Sequence, residues 1–309
     1  MSTQSLASTA AATPAPRYAG ASIGPSWRNL LFVLPFLAVY VVLLVYPLFR
    51  GIWISLQEYD MFDQTASFAG LANFRRLFAD KVFLGTVSNT FVFVLMTVPV
   101  FVAIGLGLAL ALNRESKGSA ALRAVFFGTS VLSVTIVTII WKMMYLPDRG
   151  LIAGMLSIFG LPPIQFLTSQ ELALPAIALC TLWWVIGLPM MLFLAALQQI
   201  PGELYEAAAL DNAGRWRSFW SITLPSIRRS VVVVAIYEIV AQFQLFGQAQ
   251  LLTRGGPNNA SRPIVQFIYE EGFQRWNVGY AAAASEVLFL LMAIAAILQY
   301  VAARRRAEG

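Results

Sequence analysis

Residues 206–225 read EAAALDNAGRWRSFWSITLP, a polar stretch between two long apolar runs. A helix that crosses a bilayer needs about 20 mostly apolar residues, and each neighbouring run meets this length. The apolar runs therefore indicate a membrane protein. The polar stretch belongs to a connection, residues 198–229, that is excluded from the membrane; it is called the polar loop below.

The composition supports a membrane protein. Of the 309 residues, 59% are hydrophobic and 12% are charged, whereas a soluble domain carries about 25% charged residues. There is no histidine and only one cysteine, Cys180. These counts exclude a Ser-His-Asp triad, a Cys-His dyad, a His-ligated metal and an internal disulfide. We expect no catalytic site and no metal site, and we attribute the net charge of +6 to cytoplasmic arginines rather than to nucleic-acid binding.

Gaps between charged residues predict an all-α membrane protein with six transmembrane helices. The predicted spans are 29–49, 86–112, 122–145, 172–197, 230–252 and 279–302. Prolines inside them are tolerated because neighbouring helices and water can satisfy the freed carbonyl groups.

The spans define the predicted domain organisation. One membrane-spanning unit covers residues 29–303, with the polar loop 198–229 between spans four and five. Residues 1–28 are rich in Ser, Ala, Thr and Pro and are predicted to be a disordered tail, and residues 304–309 form a basic end. The side that holds both termini and the polar loop carries 12 Lys and Arg residues against 9 on the other side. Both termini are therefore predicted to be cytoplasmic.

Two short helices are predicted within the polar loop. Pro201 suits a first helical position, and Glu203 and Glu206 lie near the positive end of the helix dipole. Asn212 and Gly214 tolerate left-handed backbone, which suits a sharp reversal.

The second loop helix is predicted to be amphipathic. Its apolar face carries Trp216, Phe219, Trp220 and Thr223 at helical spacing, and Pro225 is expected to end it. One interpretation places this helix on lipid headgroups with both tryptophans as anchors. The first helix is acidic and rich in alanine, which favours a protein partner instead.

The polar loop resembles the EAA loop of ATP-binding-cassette (ABC) importer permeases. That pattern is Glu-Ala-Ala, three residues, Gly, nine residues and Ile-x-Leu-Pro. Here Glu206-Ala207-Ala208 is followed by Asn212 at the glycine position and by Ile222-Thr223-Leu224-Pro225. Other segments resemble the sugar-importer branch, which includes the maltose-type permeases, and the resemblance runs over about residues 29–303. These segments are FAGLANFRRLF (68–78), GLGLALALNR (105–114), LPDRGL (146–151), LYEAAALDNAG (204–214), LTRGGPNNAS (252–261) and GYAAAASEVLF (279–289).

The resemblance implies that the first loop helix fits a cleft on a separate ATPase subunit. The implied contact and turn residues are Glu203, Glu206, Ala207, Ala208, Asp211, Asn212, Gly214, Leu224 and Pro225. None of the three lysines lies in a P-loop pattern, so ATP and Mg belong to the partner ATPase and no cofactor is expected on this chain. The implied assembly lies in a bacterial inner membrane. It contains a second homologous six-span permease, two ATPase subunits and an extracytoplasmic solute-binding protein.

Polar residues in and near the fifth span predict a substrate path. Polar groups inside a bilayer are costly and usually face protein or water. Amides, a carboxyl group and aromatic rings together suit a sugar. The residues predicted to line the path are, in the fifth span, Glu238, Gln242, Phe243, Gln244, Phe246 and Gln248, and, in the fourth span, Trp183 and Trp184. The alternative is that the glutamines form hydrogen bonds between helices as packing contacts.

The function predicted from these features is the permease subunit of an ATP-driven, binding-protein-dependent carbohydrate importer that works by alternating access. The segment 51–85, predicted to form a small amphipathic helix, and the Gly255-Gly256-Pro257 turn are candidate contacts for the binding protein. One alternative is the same type of importer for a glycerophosphodiester or a polyol. A secondary transporter with ion sites at Glu238 and Glu286 would leave the polar loop unexplained, and a membrane enzyme would need converging carboxylates that the spacing does not indicate.

Overall fold

The computed structural model describes residues 27–60 and 65–308, and helices dominate it. The helices in chain order are α1 Trp27–Tyr40, α2 Tyr46–Ser55, α3 Ala72–Ala79, α4 Lys81–Leu112, α5 Lys117–Thr129, α6 Val134–Met144, α7 Leu151–Ile158, α8 Ala173–Val185, α9 Gly187–Leu197, α10 Gly202–Leu210, α11 Arg215–Ser218, α12 Leu224–Ser226, α13 Arg228–Phe243, α14 Gly247–Leu252, α15 Ile264–Tyr269 and α16 Val278–Glu308. Short π-helical segments occupy Val41–Val45, Phe219–Thr223 and Glu270–Gln274.

Four continuous helical stretches are long and apolar enough to cross a membrane. They are Leu31–Ser55, Lys81–Leu112, Arg228–Leu252 and Val278–Val301. Two further pairs, α5 with α6 and α8 with α9, meet this criterion together but are bent by 98° and 48°. The described residues therefore contain four to six candidate spans.

The bent pairs coincide with the predicted spans 122–145 and 172–197, which were expected to be single helices. The first pair breaks at residues 130–133, where the Ser133 hydroxyl accepts a hydrogen bond from the backbone N–H of Ile136 and begins α6. A count of charged residues cannot detect this break, because the residues that form it are uncharged.

The backbones of helices α5 and α9 are in direct contact at Gly187. A Cβ atom added to Gly187 would lie 2.3 Å from the carbonyl oxygen of Phe126 and 2.6 Å from Cα of Phe127. Glycine therefore permits the start of α9 to lie directly on the end of α5.

Helix α4 contributes to all three clusters of buried apolar side chains. The first cluster packs α4 with α3, α13, α15 and α16; the second packs it with α6, α8 and α14; the third packs it with α9 and α13. Its buried residues Phe83, Phe93 and Ala109 belong to the first, second and third clusters respectively.

The segment 51–85 contains the expected amphipathic helix, which is α3. The side chain of Asn73 on this helix is buried and donates hydrogen bonds of 2.9 Å to the carbonyl oxygens of Ser55 and Gln57. A two-stranded antiparallel sheet, β1 Gln57–Asp60 with β2 Thr65–Phe68, was not predicted, and Gln57 pairs with Phe68. Within the described residues the fold is thus helical with one two-stranded sheet rather than purely α.

The predicted ends differ from the described helices. The predicted tail 1–28 lies outside the described residues except for Trp27 and Arg28, which begin α1. Helix α16 continues to Glu308, so the predicted basic end 304–309 is helical up to that residue.

Candidate functional site

The first helix of the polar loop, α10, is uncovered along almost its whole length. Of its residues only Ala208 is half-buried, while Glu203, Glu206 and Ala207 are exposed. Leu210 at its end is 85% exposed, although it is apolar. The described chain thus leaves an acidic, alanine-rich helix without a partner surface.

A Schellman turn closes α10. The backbone N–H of Ala213 donates to the carbonyl of Ala208 at 2.9 Å, and that of Asn212 donates to Ala209 at 3.1 Å. Asn212 has a φ of 53°, which confirms the predicted left-handed backbone at this residue. Gly214 is extended, with φ −65°, so the reversal uses Asn212 and not Gly214.

Replacing Asn212 by glycine is expected to leave stability and uptake near wild type, because glycine adopts positive φ without steric cost. Replacing it by valine should destabilise the loop by about 1–2 kcal/mol, since a β-branched side chain clashes in this conformation. Thermal unfolding and uptake of both variants test this. Equal tolerance of valine and glycine would contradict a functional requirement for the turn.

The second half of the polar loop is almost continuously helical. Helix α11 passes through the π-helical segment Phe219–Thr223 into α12, which ends at Ser226 rather than at Pro225. The backbone N–H of Leu224 donates to Phe219, five residues back, which widens the turn ahead of Pro225.

One side-chain contact joins the two halves of the polar loop. The hydroxyl groups of Tyr205 on α10 and Thr223 are 2.9 Å apart and share a hydrogen bond. Trp216 packs edge-to-face on Trp220 with ring centroids 5.7 Å apart, yet they remain 74% and 53% exposed. These exposed rings keep the interpretation of a lipid-facing second helix open.

A cavity of about 310 Å³ lies among α5, α8, α9, α13 and α14; it is called the central cavity below. It brings together four of the residues predicted for the substrate path: Trp184, Glu238, Gln242 and Gln248. The other residues that line it are Ser130, Thr181, Val185, Leu188, Tyr237 and Ala241. Ser130 and Thr181 were not predicted, because nothing in the sequence shows that these helices meet here.

Two of the polar residues in the central cavity bind each other. The Nε2 group of Gln242 donates to Oε2 of Glu238 at 2.9 Å, one helical turn apart on α13. Glu238 is 1% exposed and Gln242 is 4% exposed. A buried carboxyl group held by a neutral amide is an unusual and costly arrangement, which makes this pair the chemical centre of the cavity.

Trp184 is fixed at the wall of the central cavity by the bend between α5 and α6. Its indole Nε1 donates to the carbonyl of Leu132 at 3.0 Å, and its own carbonyl accepts from the Thr129 hydroxyl at 2.9 Å. The bend therefore positions an aromatic ring beside the polar pair on α13.

Four other predicted path residues do not line the central cavity. Phe243 is buried in the core and packs edge-to-face on Phe91, with ring centroids 5.3 Å apart. Trp183 packs on Trp141 and Phe246 on Tyr269, while Gln244 is exposed in the break between α13 and α14. Successive residues on a helix point about 100° apart, so neighbours of lining residues face elsewhere.

The segment after α14 forms a hydrogen-bonded unit around the predicted Gly255-Gly256-Pro257 turn. Arg262 forms an ion pair with Glu270, and the Ser261 hydroxyl donates to the carbonyl of Gly256 at 2.6 Å. The amide of Asn89 on α4 donates to the carbonyls of Asn259 and Arg262 at 2.7 and 3.1 Å. The turn is therefore anchored to α4 rather than being a free connector.

The family model described as "Binding-protein-dependent transport system inner membrane component" matches residues 65–308. The chain belongs to this family. The match covers both the polar loop and the central cavity. The permease is therefore a multi-pass inner membrane component of a transport system, and members of its family are transport proteins rather than enzymes.

Curated relatives are similar over nearly the whole permease. It is 32% identical to the diacetylchitobiose uptake system permease protein NgcF of Streptomyces coelicolor, over 88% of this chain and 81% of that protein. It is 30% identical to the sn-glycerol-3-phosphate transport system permease protein UgpA of Yersinia pestis, over 89% of this chain and 93% of that protein. Among solved structures, a chain of a bacterial ABC transporter involved in the import of the acidic polysaccharide alginate is similar with a TM-score of 0.78 and 25% identity, over 90% of this permease and 96% of that chain.

Proposed function

We propose that this permease is the six-span subunit of an ATP-driven, binding-protein-dependent carbohydrate importer. The observation that carries the proposal is the uncovered α10, closed by a Schellman turn, in a member of this family. Six spans follow if each bent helix pair crosses the membrane once. Both termini and the polar loop then lie in the cytoplasm, where the excess of basic residues supports their placement.

The proposed partners provide ATP hydrolysis, the rest of the path and delivery of the cargo. Two ATPase subunits bind ATP and Mg, and one of them receives α10 in a cleft. The contact residues are Glu203, Glu206, Ala207, Ala208 and Asp211, with the turn at Asn212 and Gly214 and the end of the loop at Leu224 and Pro225. A second homologous permease completes the path, and an extracytoplasmic binding protein delivers the cargo.

The central cavity is the proposed part of the path that this chain provides. A carboxyl group and amides offer both donors and acceptors for sugar hydroxyls, and Trp184 offers a flat apolar face. The names of the relatives for diacetylchitobiose and alginate support a carbohydrate cargo, whereas the relative named for sn-glycerol-3-phosphate favours the alternative of a glycerophosphodiester or a polyol.

Crosslinking from α10 in the assembled transporter tests the proposal. Cys180 is replaced by alanine, and Ala207→Cys is introduced on the exposed helix. We expect a reagent with one thiol-reactive and one amine-reactive group to link this cysteine to an amino group of an ATPase subunit, with a yield that changes when ATP is added. The matched control, Ser67→Cys at an exposed position of β2, should give no ATPase adduct. An assembled complex in which Ala207→Cys reaches only lipid would overturn the proposal.

A further inference from the structure

The charge of the central cavity is unbalanced. Among its described lining residues, one carboxyl group is present, on Glu238, and no lysine or arginine accompanies it. The remaining polar groups are the neutral side chains of Gln242, Gln248, Ser130, Thr181, Tyr237 and Trp184.

The position of Glu238 along α13 keeps it away from the basic residues at the start of that helix. Glu238 follows Arg228 by ten residues, which corresponds to roughly 15 Å along a helix. That distance is half of a hydrocarbon core of about 30 Å. Charge interactions at this depth are screened less than at the surface.

The only side-chain hydrogen bond of Glu238 among the described residues comes from the neutral amide of Gln242. Placing an anion in such a site is costly, because no positive group replaces the water that the anion loses. An ionised Glu238 adds direct repulsion. Hydroxyl groups of a neutral sugar meet no such cost, since a carboxyl group and carboxamides satisfy them as donors and acceptors.

We propose that Glu238 makes the permease selective for neutral or amino sugars and against anionic cargo such as uronates and sugar phosphates. This inference rests on the proposed function, because it assigns the central cavity to the cargo path. It assigns the discrimination to one residue of the permease itself.

Charged thiol reagents measure the potential of the central cavity without any cargo. In the complete transporter with Cys180→Ala, a cysteine is introduced at Ser130 or, separately, at Gln248. Its reaction rates with an ammonium and a sulfonate methanethiosulfonate are compared at mildly alkaline pH. At each position the rate with the ammonium reagent is divided by the rate with the sulfonate reagent. This ratio is then divided by the same ratio for Ser221→Cys on the exposed part of the polar loop. We expect the cationic reagent to be favoured roughly tenfold or more.

The matched variant is Glu238→Gln, which keeps the size of the side chain and removes its charge. It should bring the normalised ratio close to one at both positions. A ratio near one in the parent protein, or a ratio that Glu238→Gln leaves unchanged, would overturn the role of Glu238 as the source of selectivity.

Protection by sugars connects this potential to cargo. A methyl glucoside and glucosamine should slow the labelling of Ser130→Cys, whereas the matching methyl glucuronide should not. Equal protection by all three would refute the selectivity while leaving the cavity in the path. If no sugar protects and Gln242→Ala also transports the natural cargo at the wild-type rate, the cavity is not the path and the inference fails together with that part of the proposed function.

Discussion

Replacing Glu206 by lysine is expected to reduce uptake to background and to abolish stimulation of ATP hydrolysis by the binding protein. Glu206 is exposed on α10, so the change reverses a charge on the surface proposed to enter the ATPase cleft. A charge reversal in the middle of such a contact typically costs several kcal/mol, because it replaces attraction by repulsion. The fold should persist, since the side chain is exposed on the surface of the described part of the chain. Uptake and ATPase assays on reconstituted transporter measure both effects.

Glu171→Lys is the matched control for this prediction. It makes the same change in net charge at an exposed residue outside the polar loop, just before α8. It should retain near wild-type uptake and ATP hydrolysis. If Glu206→Lys transported as well as Glu171→Lys, the proposed role of α10 would be wrong.

Replacing Gly187 by valine is expected to destabilise the folded permease strongly. Even the first added carbon would lie 2.3 Å from the carbonyl oxygen of Phe126. The clash is with backbone, so no side-chain rotation relieves it, and α5 must separate from α9. Overpacking typically costs 1–3 kcal/mol and occasionally more, which is a large share of a total stability of about 5–15 kcal/mol. Membrane levels and thermal unfolding in detergent measure the loss.

Gly107→Ala is the control for the close approach at Gly187. Gly107 is also within a helix, α4, but a Cβ added there meets no atom within 4 Å. Because alanine favours helix over glycine, this variant should be as stable as the parent or slightly more stable. Indistinguishable unfolding temperatures for Gly187→Val and Gly107→Ala would show that the α5–α9 contact is not the tight one described here.

The sequence predicts those features that depend on local composition. Apolar length locates the helices, and the short side chain of Asn212 tolerates left-handed backbone, which the structure shows at that residue. The 98° bend between α5 and α6 is not visible in the sequence, because its residues are uncharged and separate two helices that are each apolar. The strands β1 and β2 are likewise missed, since both are short and mostly polar.

The candidate cavity could be predicted only in part. Glu238 and Gln242 are recognisable as polar residues one turn apart in an apolar run, whereas Ser130 and Thr181 join them through tertiary packing alone. The same packing places Phe243 in the core although it directly follows Gln242. Residue type thus identifies the polar centre, and only the arrangement of helices decides which neighbours share it.

The hydrogen bond between Tyr205 and Thr223 has a mechanical consequence. It braces α10 against the segment that runs with little interruption into α13, the helix that carries Glu238. If α10 moves with an ATPase subunit, as proposed, this contact links that movement to the segment that leads into α13. In the proposed mechanism the movement would thus enter α13 at the end of the helix that lies about 15 Å from Glu238.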